Sequence, residues 1–420
     1  MQVYFYVGFQ TKVDFDFNDL VSGNPGVGGT EYATICLATE LANRGLFRVT
    51  LISNIDLKLN SKVNFLHKPD LISALLCNEV TDKYLVYRPN IDASEEILLA
   101  YKNTKAKLIA WTHVTPSPDH LRIMANTENI LGIVALGKRQ YFSWIDSPAN
   151  KKTTIIQNGQ YSPQQLISPS LNKDITYLGA LVPQKGFHLL AKQWPQILKE
   201  RPGVRLIVIG SGSLYDSGAL LGPLKLAGEK YENQIVTLLG NSIDSVVFRG
   251  KVDSREKALL IASTRVGVVN PSGRTENCPA AALDFQAAGI PVVSAKRYGL
   301  IDTVINNKTG ILARRRRSLT KAIIKLIDDD SLVDTYGRNG IENIKENFDF
   351  SRIVSQWSAF IYCLDGSTSF RQPRFRDVAG WTERFAFLNS IVRKKSVSSG
   401  KGRSVIEAKT FLKKFLTKTI

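Results

Sequence analysis

The chain has few of the features that mark membrane-spanning or disulfide-stabilised proteins. Among its 420 residues no apolar run approaches the roughly 18 residues that a membrane-spanning helix needs. Its four cysteines are scattered, without a Cys-x-x-Cys or Cys/His cluster, which argues against a structural zinc site and for reduced thiols. The first ten residues, MQVYFYVGFQ, lack the positive start and cleavage site of a secretion signal. We therefore expect a cytoplasmic protein whose chain opens on a strand.

The chain also contains fewer acidic than basic residues. The chain has 37 Asp and Glu against 55 Lys and Arg, a net charge of +18. The imbalance is concentrated in the tail, residues 367–420, which carries 13 basic and 3 acidic residues. Such a tail can bind nucleic acid or an anionic membrane surface. No recognisable nucleic-acid motif accompanies the charge, so nucleic-acid binding is the weaker alternative and we expect no nucleic-acid partner.

The length and the pattern of apolar segments predict two α/β domains. Short apolar strands alternate with helical stretches, first over residues 1–160 and again over residues 172–349. A segment rich in Gln, Ser, Pro and Asn separates the two series. Strands that alternate with helices form parallel sheets. The expected fold is therefore two Rossmann-like domains facing each other across a cleft.

The most informative segment runs from Asn270 to Ala295. Its pattern of strand, turn, helix, turn and strand is a βαβ unit, whose ligand end is the turn after the first strand. Pro279 suits the first helical position, and the free amides from Ala280 onward would point at a bound anion. Glu276 in the turn and Asp284 in the helix can flank one polar ligand. The segment is a candidate binding site.

A glycine-rich turn, NPGVGGTEYA, precedes the first long helix. Gly28 and Gly29 would let the backbone approach a ligand closely, and the helix start after them would attract phosphate. The turn is not G-x-G-x-x-G, and no acidic residue follows the next strand at the spacing of an NAD site. A plain strand-to-helix loop is an equally good interpretation.

Two further residues stand where ligands of parallel sheets gather. Lys185 lies before Gly186 at the first strand-to-helix turn of the second domain, where an ammonium could meet a diphosphate. His113 ends an apolar strand and is one of only four histidines. A solvated turn lysine and a hydrogen-bonded structural histidine are the alternatives.

The last segment, residues 405–420, has the pattern of a basic amphipathic helix. Its apolar residues share one arc of a helical wheel, and four lysines border or oppose them. This is typical of a helix that lies on an anionic membrane surface. A helix that packs on the protein's own surface fits the same pattern.

Taken together, these segments resemble the retaining glycosyltransferases of GT-B architecture, family 4, also called glycosyltransferase group 1. The resemblance covers roughly residues 1–360. Its motifs occur in the family's order: GGTE, WTHV, IIQNG, YLGALVPQKG, LIVIGSGS, VVFRGKV, PSGRTENCPAAALDFQAAGIPVV and NNKTGIL. In the family a final helix crosses back onto the N-terminal domain, and residues 350–364 stand where that helix should be.

The resemblance implies transfer of a sugar, with retained configuration, from a nucleotide-diphosphate sugar bound mainly by the second domain. The acceptor, a lipid-linked or polysaccharide glycan of the cell surface, would bind the first domain, and neither a metal nor another cofactor is expected. By motif match Glu276 would contact the transferred sugar and Asp284 the ribose hydroxyls. His113 would contact the sugar near its reacting carbon. The protein would then be peripheral on the inner face of a membrane.

The same resemblance implies how the diphosphate is held. Lys185, the backbone of Gly28 and Gly29, and the helix opening at Pro279 and Ala280 would bind it. This makes Lys185 both a binding and a catalytic candidate, because the leaving diphosphate gains negative charge.

Three residues depart from the family pattern. Ala180 stands where the family usually has a phosphate-binding Arg, Asp284 where it has Glu, and Asn277 where Gly is common. An unusual donor or weak activity would follow. A catalytically inactive GT-B partner protein is accordingly the principal alternative.

Overall fold

The structure is a computed structural model in which the chain forms two compact units. The first unit comprises Met1–Phe9, Leu37–Gln157 and Ile353–Ile420, and the second Gln10–Cys36 and Asn158–Arg352. The structure describes residues 1–10, 17, 18, 20, 21, 23–59, 61–162, 173–214, 220–314, 316–366, 385, 388, 389, 404, 405, 407 and 408.

The first unit is built on a sheet of seven parallel strands, in the order β3-β2-β1-β4-β5-β6-β7. Central strands are buried on both faces, which explains why their sequences are continuous apolar runs. The strands are β1 (Gln2–Val7), β2 (Arg48–Ser53), β3 (Val63–His67), β4 (Tyr84–Tyr87), β5 (Lys107–Thr112), β6 (Ile130–Ala135) and β7 (Thr153–Ile155).

Helices cover this sheet, and the last of them returns to it from the far end of the chain. They are α1 (Gly29–Asn43, in this unit from Leu37), α2 (Leu71–Leu76), α3 (Glu95–Asn103), α4 (Pro118–Asn126), α5 (Lys138–Ser143) and α14 (Phe350–Leu364, in this unit from Ile353). Trp357 of α14 is fully buried, with its ring 5.0 Å from that of Trp111 and 6.4 Å from that of Phe5. A Cβ at Gly132 would lie 2.5 Å from the Phe360 ring, so glycine is needed for α14 to pack this closely on β6.

The second unit has a sheet of six parallel strands, in the order β10-β9-β8-β11-β12-β13. Because the order reverses between β8 and β11, the carboxyl ends of these two strands form the switch point where ligands of such sheets bind. The strands are β8 (Ile175–Leu178), β9 (Leu206–Ile209), β10 (Val246–Gly250), β11 (Val266–Val269), β12 (Val292–Ala295) and β13 (Gly310–Ala313).

The helices of the second unit pack on both faces of its sheet around a core that includes the buried Trp194, Phe187 and Tyr177. They are α6 (Phe187–Ala191), α7 (Trp194–Glu200), α8 (Glu229–Leu239), α9 (Ser254–Ala262), α10 (Ala280–Ala287), α11 (Leu300–Thr303), α12 (Arg316–Asp328) and α13 (Asp330–Asn343). Asp253 caps α9, and its side chain accepts a hydrogen bond from the Glu256 amide.

The sequence-based fold class, two α/β parallel-sheet domains, is confirmed. Residues 10–36 cluster with the second unit, although they precede most of the first sheet. β3 did not stand out in the sequence, since its edge position leaves Asn64, Phe65 and His67 exposed and breaks the apolar run. None of the described helices is both long enough and apolar enough to cross a membrane.

Most of the basic tail lies outside the described residues, including nearly all of the predicted amphipathic helix. The described start of that segment contacts the first unit. The side chain of Asp146, which is buried, accepts hydrogen bonds at 2.6 Å from the Val405 amide and from Asn389 Nδ2. The Glu407 carboxylate lies 2.6 Å from the Arg122 guanidinium. It also accepts a hydrogen bond from the Ser404 amide, and Ser404 Oγ accepts one from the Glu407 amide, so the two residues form a capping box.

Candidate functional site

The two strongest candidates of the second unit contact each other directly. Lys185 Nζ lies 2.5 Å from Glu276 Oε1, and the two side chains are 14% and 11% exposed. Lys185 follows β8 and Glu276 follows β11, the neighbouring strands at the switch point of the sheet. Asn270 Nδ2 donates to the same carboxylate oxygen at 2.9 Å. The sheet therefore delivers a paired ammonium and carboxylate to the edge where ligands bind.

Hydrogen bonds to the Asn270 side chain fix the conformation of the turn after β11. The backbone of Asn270 is left-handed, with φ of 36°, and its Oδ1 accepts from the Gly273 amide and from Ser272 Oγ. At Gly186, whose φ is 73°, a Cβ would lie 2.5 Å from the Ser272 nitrogen. Only glycine allows the turn after β8 to approach this closely, and the approach brings Lys185 to Glu276.

The second acid, Asp284 on α10, belongs to a separate network. Lys257 Nζ lies 3.0 Å from Asp284 Oδ2, and Gln160 Nε2 donates to Oδ1 at 2.7 Å. The side chains of Lys257 and Asp284 are only 11% and 20% exposed. Each oxygen of the Asp284 carboxylate therefore has a hydrogen-bond partner, and these two partners fix the orientation of the side chain.

The start of α10 faces the glycine-rich turn. Pro279 is the N-cap residue and α10 begins at Ala280, so the prediction that Pro279 occupies the first helical position was one residue early. Proline still suits this place, because its φ of −70° is fixed and it has no amide to leave unpaired. A Cβ at Gly29 would lie 4.0 Å from the Ala280 Cβ. The starts of α1 and α10 therefore lie close together.

The glycine-rich turn also approaches the end of β10. Asn24 Oδ1 accepts from the amides of Gly26 and Val27 at 2.8 and 2.9 Å, which fixes the turn. Gly26 has φ of 100°, and a Cβ there would lie 3.0 Å from Lys251 Cε. Burial lowers the pKa of Lys251. The Glu31 carboxylate packs against Gly28, and a Cβ at Gly28 would clash with it.

His113 belongs to the first unit, where it follows β5. Its ring lies 4.4 Å from the Trp111 ring, and its amide donates to the Trp111 carbonyl at 3.0 Å. Burial lowers the pKa of His113 to about 3, and the positive charge of Arg88 contributes in the same direction. The imidazole is therefore neutral at physiological pH, suited to hydrogen bonding and not to supplying a positive charge.

The second unit contains seven of the eight predicted site residues, all except His113, and brings two sets of them into contact: Lys185 with Glu276, and the start of α1 with the start of α10. Three contributors were not predicted: Asn270, Lys257 and Gln160. Asn270 could have been found, since it directly follows β11. Within the described ranges no group of three or more His, Cys, Asp or Glu side chains could hold a metal ion.

Comparison with known proteins finds a family match over part of the second unit. Residues 161–343 match the family described as glycosyl transferases group 1. The chain is 28% identical over 198 residues to the capsular polysaccharide biosynthesis glycosyltransferase CapM of Staphylococcus aureus, covering 46% of this chain and 47% of that protein. It is 25% identical over 198 residues to a phosphatidyl-myo-inositol mannosyltransferase of Mycobacterium leprae, covering 46% and 48% respectively. The chain spans about half the length of the curated relatives it matches first.

Solved structures extend the likeness over both units. Anabaena Alr3699/HepE, crystallised in complex with UDP and glucose, superposes with a TM-score of 0.61 at 19% identity. The match covers 86% of this chain and 99% of that one, and at this identity it shows the fold alone. The chain therefore has the GT-B fold, and its residues 161–343 are similar to the glycosyl transferases group 1 family.

Proposed function

We propose that the chain is a retaining, metal-independent glycosyltransferase that takes its sugar from a nucleotide-diphosphate sugar. The observation that carries the proposal is the Lys185–Glu276 pair at the switch point of the second sheet. A carboxylate there can accept hydrogen bonds from sugar hydroxyls, while the ammonium beside it attracts phosphate. HepE, which shares the fold, is a protein whose structure contains UDP and glucose, and this supports the same class of donor.

Positive charge at this edge of the second unit suits the chemistry of the leaving group. When the bond between the anomeric carbon and the diphosphate oxygen breaks, the diphosphate gains negative charge. Lys185 and the first amides of α10, at Ala280 and beyond, would stabilise that charge without a metal ion. The backbone of Gly28 and Gly29, at the start of α1, would contribute further donors.

The acids and the histidine have distinct roles in this proposal. Glu276 contacts the transferred sugar, and Asp284 accepts hydrogen bonds from the ribose hydroxyls in the orientation that Lys257 and Gln160 impose. His113, as a neutral imidazole, exchanges a hydrogen bond with the sugar near its reacting carbon. No charge on the histidine is required.

We infer that the acceptor is a cell-surface glycan or glycolipid. Two of the relatives are named for capsular polysaccharide biosynthesis and for mannosyl transfer to phosphatidyl-myo-inositol, both surface products. The basic segment 405–420 would bring the protein to the anionic inner face of a membrane, where such acceptors are assembled. A chain that ends at Gly366 should then lose co-sedimentation with vesicles containing anionic lipid. Undiminished co-sedimentation would rule out the tail as the membrane-binding element.

Turnover tests the enzymatic proposal. Transfer or slow hydrolysis is measured over a panel of UDP-, GDP- and ADP-sugars for the wild type, Lys185→Ala and Glu276→Ala. At least one donor should be consumed by the wild type, and about 100-fold more slowly by each variant. Lys199→Ala and Glu200→Ala, exposed at the end of α7 beside the opposite edge of the sheet, are matched controls that should behave as the wild type. A wild type that consumes none of the donors would favour the inactive partner protein.

A further inference from the structure

Tyr298 adopts a backbone conformation that disfavours its side chain. It lies in the turn after β12 with φ of 45°, a region that bulky residues rarely adopt and that costs on the order of 1 kcal/mol. Neighbouring hydrogen bonds impose this turn: the Arg297 amide donates to the Ala295 carbonyl, and the Ile301 amide donates to the Tyr298 carbonyl. The strain is therefore built into the turn.

Burial does not compensate for this strain. Tyr298 is 58% exposed, so the residue gains little from contact with the core. Three of the other described non-glycine residues with positive φ, Asp82, Asn270 and Asn307, are of types that tolerate this region, whereas Lys225 and Thr275 are not. Strained residues without a packing reason concentrate at ligand-binding positions.

The strained turn is joined to the backbone of Glu276. The Gly299 amide, next to Tyr298, donates to the Glu276 carbonyl at 2.9 Å. A Cβ at Gly299 would lie 1.9 Å from the Asn277 carbonyl oxygen, so the two turns touch. Thr275, on the other side of Glu276, is also strained, with φ of 61°. Two residues with strained backbone, Thr275 and Tyr298, therefore lie next to Glu276.

The topology places Tyr298 at the ligand edge of the sheet. β8, β11 and β12 are consecutive neighbours, and Lys185, Glu276 and Tyr298 follow their carboxyl ends in that order. An exposed aromatic ring at this edge offers a flat apolar face for the C–H face of a sugar and a hydroxyl for a hydrogen bond. Neither burial nor residue type accounts for a tyrosine at this strained position.

We propose that Tyr298 contacts the ring of a saccharide bound beside Glu276. The inference rests on the proposed function, since it assigns a sugar-contacting residue to the same site. The ring belongs either to the transferred sugar of the donor or to the terminal sugar of the acceptor. Both sugars would make the same kind of contact with the tyrosine ring, and the kinetic experiment below distinguishes them.

The test compares Tyr298→Gly and Tyr298→Phe with Asn307→Gly. Asn307 also has positive φ, of 60°, but is exposed at the amino end of β13, away from the ligand edge. Tyr298→Gly relieves the backbone strain, so its Tm should equal or exceed that of the wild type. Its KM should rise about tenfold for one saccharide, a loss typical of one aromatic contact. A rise for the sugar nucleotide, with unchanged affinity for the free nucleotide, identifies the donor, and a rise for the acceptor alone identifies the acceptor.

Tyr298→Phe should keep most of the wild-type affinity, and Asn307→Gly should have wild-type kinetics. Wild-type KM values for both substrates in Tyr298→Gly would overturn the inference while leaving the proposed function intact. So would a lowered Tm with weakened binding of the free nucleotide, which indicates a structural residue. A wild type that neither binds nucleotides nor consumes a donor would overturn the proposed function and this inference with it.

Discussion

Lys185 and Glu276 are 91 residues apart in the chain, yet the Lys185 ammonium lies 2.5 Å from the Glu276 carboxylate. The contact depends on two parallel strands that are neighbours in the sheet but distant in sequence, β8 and β11. It pairs opposite charges at a largely buried position and keeps both groups at the edge where α/β sheets bind ligands. In the proposed function, a bound diphosphate would attract Lys185 while Glu276 turned to a sugar hydroxyl.

Glu276→Gln removes the charge and keeps the shape of the side chain. We expect donor turnover to fall about 100-fold, because the pair loses its carboxylate and the transferred sugar loses a charged acceptor. Glu200→Gln, exposed on α7, is the control for loss of one acid and should retain wild-type turnover. Equal turnover in the wild type and Glu276→Gln would show that the acid takes no part in the reaction.

The Lys257–Asp284 pair should be energetically coupled. Both side chains are largely buried, so removing one partner leaves an uncompensated charge. Lys257→Met and Asp284→Asn should each lower the free energy of unfolding by about 2 kcal/mol, and the double variant by clearly less than the sum. Denaturant unfolding measures the cycle. The exposed Asp334–Arg338 pair is the control and should couple by less than about 1 kcal/mol. Additive effects at Lys257 and Asp284 would mean that the pair does not act as a unit.

His113 should make the protein less stable in acid. Its folded pKa is about 3 against 6.5 for the free side chain, so between these values the unfolded chain binds more protons. This contribution to stability is complete above pH 6.5 and is lost as the pH falls, at up to about 1.4 kcal/mol per pH unit. Unfolding free energies from pH 7 to pH 4 should therefore fall more steeply for the wild type than for His113→Gln. Parallel curves would contradict the buried, neutral imidazole.

The start of the tail helix should be held on the first unit. Glu407 pairs with Arg122 and, through Ser404, caps the segment whose Val405 amide binds Asp146. Glu407→Ala should therefore speed tryptic cleavage among the basic sites of residues 393–403 several-fold, because release of the cap frees the segment for the protease. Glu95→Ala, exposed on α3, should leave the cleavage rate unchanged. If both variants are cleaved at the wild-type rate, Glu407 does not anchor the tail.

The sequence predicted the two α/β units and most of their strands, because buried parallel strands are continuous apolar runs. It also indicated Lys185 and Glu276, since both follow strands in a βαβ pattern. It could not indicate Lys257, whose partner Asp284 is 27 residues away and on another helix. Nor did it mark Tyr298, because a tyrosine after a strand is unremarkable until its backbone angle and exposure are known. The pattern of apolar residues in the sequence shows where strands end. Which side chains pair with each other depends on the folded arrangement of the strands and helices.

Titration calorimetry with UDP, GDP and ADP, each beside its monophosphate, measures whether the second unit holds a donor site. We expect at least one diphosphate to bind the wild type clearly more tightly than its monophosphate, because Lys185 and the start of α10 act on the second phosphate. In Lys185→Ala that difference should shrink about tenfold or more, while binding of the monophosphate is kept. Absence of binding for all three diphosphates, or an equal difference in Lys185→Ala, would contradict a donor site in the second unit.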